Sequence, residues 1–168
     1  ELRPSAEHHL ADLGCGYGSS ARLVARTYGC AVQAFTVVNE QVKEGQAKAA
    51  QEDLPVTMHL RDFRDTGMTS GTMDGVYALE SLCYGSGQGK ADVLAEAARI
   101  LRPGGRIALV DGFILKPPTG LRRRMVRTLE EGWAVPCFPR QQAFVRAMER
   151  VGFTDIRIAD LSYRVAPS

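Results

Sequence analysis

Five short runs of mostly apolar residues recur along the chain, separated by segments in which apolar side chains repeat at the spacing of a helix. The runs are residues 10–13, 31–38, 56–60, 75–79 and 107–115. Runs of this length, bounded by glycine, proline and polar residues, predict β-strands. After the first run, one apolar face of a helix is predicted by Ala21, Val24, Ala25 and Tyr28. Gly29 follows, where such a helix ends.

Helical spacing returns twice in the second half of the chain. The first occurrence comprises Leu94, Ala97, Ala98 and Leu101. The second comprises Ala143, Phe144, Ala147, Met148 and Val151. Between them, the proline and glycines of "RPGGR" must end a helix and turn the chain into the next strand. Residues 155–165 resemble one more strand.

Strands that alternate with helices predict an α/β fold: a single doubly wound, mostly parallel sheet with helices on both faces. No linker or repeat divides the chain, so we expect residues 1–168 to form one domain. The first strand begins close to the start of the chain, and the last strand-like run lies close to its end. We therefore expect that terminal pieces of the fold are absent from this chain.

The composition narrows the class of partner. The chain is 45% hydrophobic and 24% charged with a net charge of +2, which gives no reason to expect nucleic acid or an anionic membrane. No run approaches the roughly 18 apolar residues of a membrane span, and no secretory leader precedes the first strand. We expect a cytoplasmic protein without stable membrane association that binds a small molecule, with homo-oligomer formation left open.

The cysteines predict neither a metal site nor a disulfide framework. Cys15, Cys30, Cys83 and Cys137 are far apart and form no CxxC pair. Reduced thiols fit the expected cytoplasmic location, and no metal is expected.

Residues 116–139 are the irregular part of the chain. "KPPTG" precedes a basic helical stretch that contains Arg122, Arg123, Arg124 and Arg127. A segment inserted after the carboxyl end of a strand lies where ligands bind in doubly wound sheets. We expect it to form one wall of an acceptor pocket, although its arginines are typical of a solvated helix face.

The stretch "LADLGCGYGSS", residues 10–20, carries the strongest functional signal. Glycines at 14, 16 and 18 between a strand and a helix let the backbone approach a ligand closely. A dinucleotide fingerprint needs glycine or alanine at position 19, where Ser19 stands. The GxGxG spacing after Asp12 instead suits a cofactor without a pyrophosphate. The alternative is a tight turn with a structural role only.

Four segments in order resemble the successive motifs of class I S-adenosylmethionine-dependent methyltransferases. They are "LADLGCGYGSSARLVARTYGCAVQAFTVVNEQV", "LRDF", "MDGVYALESLCY" and "EAARILRPGGRIALVDGF". The chain is similar to a small-molecule branch that includes tocopherol, sarcosine/dimethylglycine and sugar O-methyltransferases, and cyclopropane fatty acid synthases. The resemblance implies a Rossmann-like methyltransferase fold and methyl transfer to O, N or C of a small, secondary metabolite.

The resemblance also implies which residues hold S-adenosylmethionine. The methionine end is assigned to Asp12, Gly14, Gly16 and Gly18, the ribose to Thr36 and Gln41, the adenine to Asp62 and Phe63, and the surroundings of the sulfonium to Leu79 and Glu80. Three of these residues also have a structural alternative without a ligand. Gln41 can be an exposed residue of the first turn of a helix, Asp62 can cap the turn that follows it, and Glu80 can be a solvated acid in a loop.

The acid–base residues depart from the pattern of the sugar O-methyltransferases. Asp111 matches the aspartate that ends the fifth strand, but Cys83 and Tyr84 stand where histidines are expected. Three options follow: Asp111 serves alone as the base, Tyr84 assists by binding the acceptor, or the acceptor is an amine that needs little base. Asp111 as a structural acid is the alternative.

Other functions are weighed against methyl transfer. A cyclopropane synthase would act on a lipid alkene, and the lack of a membrane-binding amphipathic pattern argues mildly against it. The missing histidine keeps open a second class of function, a non-catalytic protein that binds the cofactor. The glycine spacing disfavours an NAD-dependent oxidoreductase.

Overall fold

Five strands and five helices make up the described part of the chain, residues 2–162 of a computed structural model. The strands are β1 (His9–Leu13), β2 (Ala31–Thr36), β3 (Val56–Leu60), β4 (Met73–Leu79) and β5 (Leu101–Val110). The helices are α1 (Ser19–Tyr28), α2 (Asn39–Gln51), α3 (Ala91–Ile100), α4 (Gly120–Gly132) and α5 (Gln141–Arg150), and a short 3-10 turn covers Leu82–Tyr84.

The strands form one sheet in the order β3-β2-β1-β4-β5, and every strand pair is parallel. The chain runs outward from β1 through β2 to β3, then returns to the other side of β1 for β4 and β5. The strand order therefore reverses between β1 and β4. In open α/β sheets, ligands bind at the carboxyl ends of the strands beside such a reversal.

Two apolar cores cover the two faces of the sheet, as the sequence predicted. Ala11 and Leu13 of β1 point to one face and pack with residues of α3 and α5. Leu10 points to the other face and packs with residues of α1 and α2. Successive residues of a strand alternate between faces, so β1 contributes to both cores and is covered by helices on each side.

Two strand boundaries differ from the prediction because strand pairing decides them. The run at 31–38 leaves the sheet after Thr36, because Val38 is already the N-cap of α2. The run at 107–115 was predicted too late: β5 begins at Leu101, which pairs with Met73, and residues 102–105 bulge out of the ladder. It ends at Val110, opposite the last residue of β4.

The strand predicted at 155–165 is wrong for residues 155–162, which form no strand, and residues 163–165 lie outside the described residues. An extended segment joins a sheet only when its backbone N–H and C=O groups find partners. Ile156 packs against the core, while Ile158 and Leu161 stay exposed. The apolar pattern here reflects one packing contact and not a strand.

The irregular segment contains the predicted basic helix, α4, none of whose residues is buried. Its apolar side chains Leu121, Met125 and Leu129 are exposed. No helix within residues 2–162 is both long enough and apolar enough to cross a lipid bilayer.

Candidate functional site

The glycine-rich loop follows β1 at the reversal of strand order. The backbone N–H groups of Gly14 and Cys15 both donate to the Phe35 carbonyl at the end of β2, at 3.1 and 2.9 Å. These bonds fix the loop on the sheet, and α1 begins directly after it at Ser19. The predicted cofactor-binding glycines therefore lie at the carboxyl edge of the sheet, between β1 and β4.

Two of these glycines are required for different reasons. A Cβ built on Gly14 would lie 2.3 Å from the Ser81 Cβ, so the β1 loop and the segment after β4 touch only because this side chain is missing. Gly16 has a φ of +53°, which disfavours other residues, yet a Cβ there would meet no atom within 4 Å. Among the described residues, no atom fills the space next to the Gly16 Cα, so a ligand can approach the backbone there.

Asp12 is the deeply buried acid of the site. Its side chain is 1% exposed, and Asp12 pairs directly with Tyr77 of the neighbouring β4. Its Oδ2 and the Tyr77 hydroxyl have no hydrogen-bond partner of good geometry among the described residues. Burial raises the pKa of Asp12 to about 7. The neighbouring Tyr77 hydroxyl opposes this shift by lowering the pKa of Asp12, so these two buried groups partner each other, although imperfectly.

Thr36 and Gln41, predicted to hold the ribose, are brought into direct contact. The Thr36 hydroxyl donates to Gln41 Oε1 at 2.6 Å, across the connection between β2 and α2. The amide nitrogen of Gln41 remains available as a donor for a ligand hydroxyl.

Asp62 caps its own turn, which was the structural alternative for this residue. Its Oδ1 accepts from the Arg64 backbone N–H at 2.9 Å, and the Arg64 guanidinium holds both carboxylate oxygens. This ion pair lowers the pKa of Asp62. A carboxylate offers about four lone-pair positions, and Arg64 makes four contacts with them, so a ligand amine would have to replace one of these contacts. Phe63 lies beside the glycine loop, 3.6 Å from a Cβ built on Gly14.

Leu79 is the last residue of β4, and Glu80 directly follows it. Leu79 is an exposed apolar side chain. Glu80 has a φ of +52°, and its backbone N–H donates to the Val110 carbonyl at 2.8 Å. A positive φ in a residue other than glycine costs about 1–3 kcal/mol, and such strain concentrates at functional sites.

Asp111 directly follows β5 and reaches the turn after β4. Its Oδ2 accepts from the Cys83 N–H at 3.2 Å and its Oδ1 from the Gly112 N–H at 2.7 Å. Burial raises the pKa of Asp111, these N–H donors lower it, and the nearby Glu80 charge raises it further. A carboxylate whose pKa lies above the ordinary range is better suited to take a proton.

Tyr84 is the last residue of the 3-10 turn that follows β4, and it is half exposed. Its hydroxyl donates to the backbone carbonyl of Trp133, at the end of α4, at 3.3 Å. Trp133 in turn packs edge-on against Phe138. The turn after β4 is thereby linked to the irregular segment.

The irregular segment forms an open pocket of about 390 Å³ beyond β5. Its lining comprises Phe113, Ile114, Leu115, Lys116, Pro117, Pro118, Thr119, Arg122, Met125, Val126 and Leu129. The lining is mostly apolar, and Lys116 and Arg122 add positive charge. No group of three or more His, Cys, Asp or Glu residues within residues 2–162 is placed to hold a metal ion.

Sequence reasoning missed two residues that shape the site. Ser81 is buried, and its hydroxyl donates to the Leu13 carbonyl. Lys90 is fully buried beneath the turn that carries Cys83 and Tyr84. Ser81 contacts a residue 68 positions earlier, so no local pattern signals it. Lys90 lies in a polar, glycine-rich stretch that reads as a solvated loop.

Comparison with known proteins gives a family. Residues 10–105 match a family described as a methyltransferase domain. Over 99% of its length the chain is 30% identical to the O-methyltransferase resE of Aspergillus sclerotiorum, and it covers 62% of that protein. It is 29% identical to the geranyl diphosphate 2-C-methyltransferase of Saccharopolyspora erythraea, with 96% of this chain and 55% of the relative covered.

A solved structure gives the same result for the fold. A geranyl diphosphate methyltransferase in complex with SAM superposes with a TM-score of 0.80 and 26% identity, covering 89% of this chain and 59% of that chain. The chain spans 62% and 55% of the length of the two relatives above.

Proposed function

The chain belongs to the methyltransferase-domain family, and from this premise we propose that it transfers a methyl group from S-adenosylmethionine to O, N or C of a small-molecule acceptor. The observation that carries the proposal is the open space in front of the Gly16 backbone at the carboxyl edge of the sheet, with the buried Asp12 carboxylate near the end of the preceding strand β1. The O-methyltransferase and C-methyltransferase relatives support a small, secondary-metabolite acceptor.

The residues at the site fit this cofactor. Asp12, Gly14, Gly16 and Gly18 would take the methionine end, because a carboxylate and exposed backbone groups complement an amino acid. An ammonium group near Asp12 favours the ionised carboxylate, which burial alone disfavours. Thr36 and Gln41 would bind the ribose hydroxyls. Asp62 and Phe63 would hold the adenine, and Leu79 and Glu80 would surround the sulfonium.

When bound, the cofactor supplies a methyl group on a positively charged sulfur, which an electron pair of the acceptor attacks in line. The chain must align the two groups and exclude water. Glu80 adds negative charge at the carboxyl end of β4. Asp111, with its raised pKa, would take the proton that an O or C acceptor releases. Tyr84 would orient the acceptor through its hydroxyl.

Residues 116–139 would form the acceptor side of the site. The apolar pocket between residues 113–119 and α4 begins two residues after Asp111. Apolar lining with a few polar groups is typical of small-molecule sites. The bond from Tyr84 to Trp133 joins the turn after β4 to the same irregular segment, which supports an acceptor site on this side of the sheet.

Formation of S-adenosylhomocysteine in the presence of a panel of hydroxylated, amine-bearing and prenylated metabolites tests the proposal. We expect turnover with at least one acceptor, and a loss of about 100-fold or more in Asp111→Asn. Binding of the cofactor without turnover on any acceptor would favour a non-catalytic role. A rate unchanged in Asp111→Asn would remove Asp111 from the mechanism.

A further inference from the structure

Lys90 is buried where a charged side chain is unexpected. It is 1% exposed and stands directly before α3. Its Nζ lies 2.8 Å from the Cys83 carbonyl oxygen, 2.8 Å from the Gly85 carbonyl oxygen and 3.9 Å from the Cys137 Sγ. An ammonium group has three hydrogens to donate, and these three acceptors can take all of them.

The position is energetically costly in two ways. Burial of an ammonium group costs several kcal/mol unless an anion compensates it, and among the described residues no carboxylate forms an ion pair with Lys90. Lys90 also has a φ of +60°, which glycine or asparagine adopts more readily. A position used only to begin a helix would not need a lysine, so the ammonium group itself has a role.

The contacts of Cys83 indicate that role. The Cys83 carbonyl accepts from Lys90, while the Cys83 N–H donates to Asp111 Oδ2 at 3.2 Å. The Gly85 carbonyl, on the far side of Tyr84, also accepts from Lys90. Lys90 thus donates hydrogen bonds to the turn on both sides of Tyr84, and the Cys83 N–H of the same turn donates to Asp111.

We propose that Lys90 is a positioning residue, which holds the Leu82–Tyr84 turn so that Cys83 donates to Asp111 and Tyr84 faces Trp133. Through Cys137 it also ties this turn to the irregular segment. The consequence for methyl transfer rests on the proposed function, because it requires Asp111 to act on the acceptor. The positioning itself does not, so it is tested without turnover.

The first test uses the unaltered protein. Lys43, Lys48 and Lys116 are the other lysines of the chain, and none of them is buried. Isotope-labelled lysine NMR should show one ammonium signal whose protons exchange slowly, since only Lys90 is shielded from water. That signal should vanish in Lys90→Met and persist in the matched control Lys43→Met. Loss of the signal in neither variant would overturn the assignment of Lys90.

The second test measures what Lys90 holds. In Lys90→Met, amide exchange of the segment around Cys83 and Tyr84 should quicken about tenfold or more, since two hydrogen bonds to the turn are lost and each contributes about 1 kcal/mol. The carboxyl titration of Asp111 should also move to higher pH, because the Cys83 N–H no longer opposes burial and the Glu80 charge. The Gly112 N–H bond to Asp111 is kept, whereas the Leu82 N–H bond lies on the same turn and weakens with that of Cys83. The Cys83 thiol loses the Lys90 charge that lowers its pKa. Lys90→Arg, which keeps the charge and donors, should restore both towards the wild-type values.

Two outcomes would overturn the proposal. One is a folded Lys90→Met protein whose exchange around Cys83 and Asp111 titration match the wild type. The other applies if Lys90→Met does not fold. It is a folded Lys90→Arg protein in which amide exchange quickens throughout α3 but not around Cys83. Failure of methyl transfer leaves both readouts unaffected, so the two proposals fail separately.

Discussion

Gly16→Ala separates ligand binding from stability, because the new Cβ meets empty space in the protein. Gly16 has a φ of +53°, and no atom lies within 4 Å of the added carbon. Alanine in this conformation costs about 1 kcal/mol in unfolding free energy, which lowers the melting temperature by about 2–4 °C in a chain of this size. A cofactor that approaches the backbone here would meet the methyl group. Overpacking of about 1–3 kcal/mol corresponds to about 5–150-fold weaker binding.

Gly71→Ala is the matched control. Gly71 has a φ of +70°, no atom lies within 4 Å of its built Cβ, and it precedes β4 at the opposite end of the sheet. Both variants should lose about the same thermal stability, measured by circular dichroism. Only Gly16→Ala should lose affinity for S-adenosylhomocysteine by calorimetry. Equal affinities in the two variants would refute the reasoning that the open space at Gly16 holds the cofactor.

Three further predictions concern the buried acids Asp12 and Glu96 and the half-buried Asp111. Asp12 holds its proton up to a pKa of about 7 in the folded state, against 3.8 for an ordinary carboxyl, so the folded state binds more protons between these values and loses stability as pH rises through them. The loss of unfolding free energy is at most about 4 kcal/mol. In urea unfolding, the unfolding free energy of Asp12→Asn should depend less on pH than that of the wild type. Parallel pH curves for the two proteins would contradict this prediction. In the wild type, methyl transfer to an oxygen acceptor should rise with pH above the ordinary carboxyl range as Asp111 ionises, and Asp111→Asn should lack this limb. Glu96 accepts from the N–H and hydroxyl of Thr66 and from Arg99, so Glu96→Ala should lower the unfolding free energy by about 3 kcal/mol, and a loss below about 1 kcal/mol in denaturant titration would show that the network is dispensable.

The elements that the sequence predicted correctly depend on contacts between residues close together in the chain. The glycines after β1, the apolar face of α1 and the end of that helix at Gly29 each depend on residues within one turn or loop, and the structure confirms these elements except for Tyr28, which is exposed. Thr36 and Gln41, five residues apart, were assigned to one ligand and do touch. Their role in binding ribose stays a prediction.

Long-range contacts determined what the sequence could not predict. The start of β5 depends on pairing between Leu101 and Met73, across a bulge that the apolar pattern does not mark. Ser81 matters only because Gly14 brings two loops together. The buried position of Lys90 follows from the turn that folds over it, whereas lysine in sequence is usually read as exposed.

Whether the glycine loop after β1 binds S-adenosylmethionine is best measured by isothermal titration of the chain with its product S-adenosylhomocysteine, with NAD in parallel. We predict saturable binding of S-adenosylhomocysteine and none of NAD, since the glycine spacing and the Asp12 carboxylate suit an amino-acid end and not a pyrophosphate. Binding of NAD, or of neither compound by a folded protein, would contradict it.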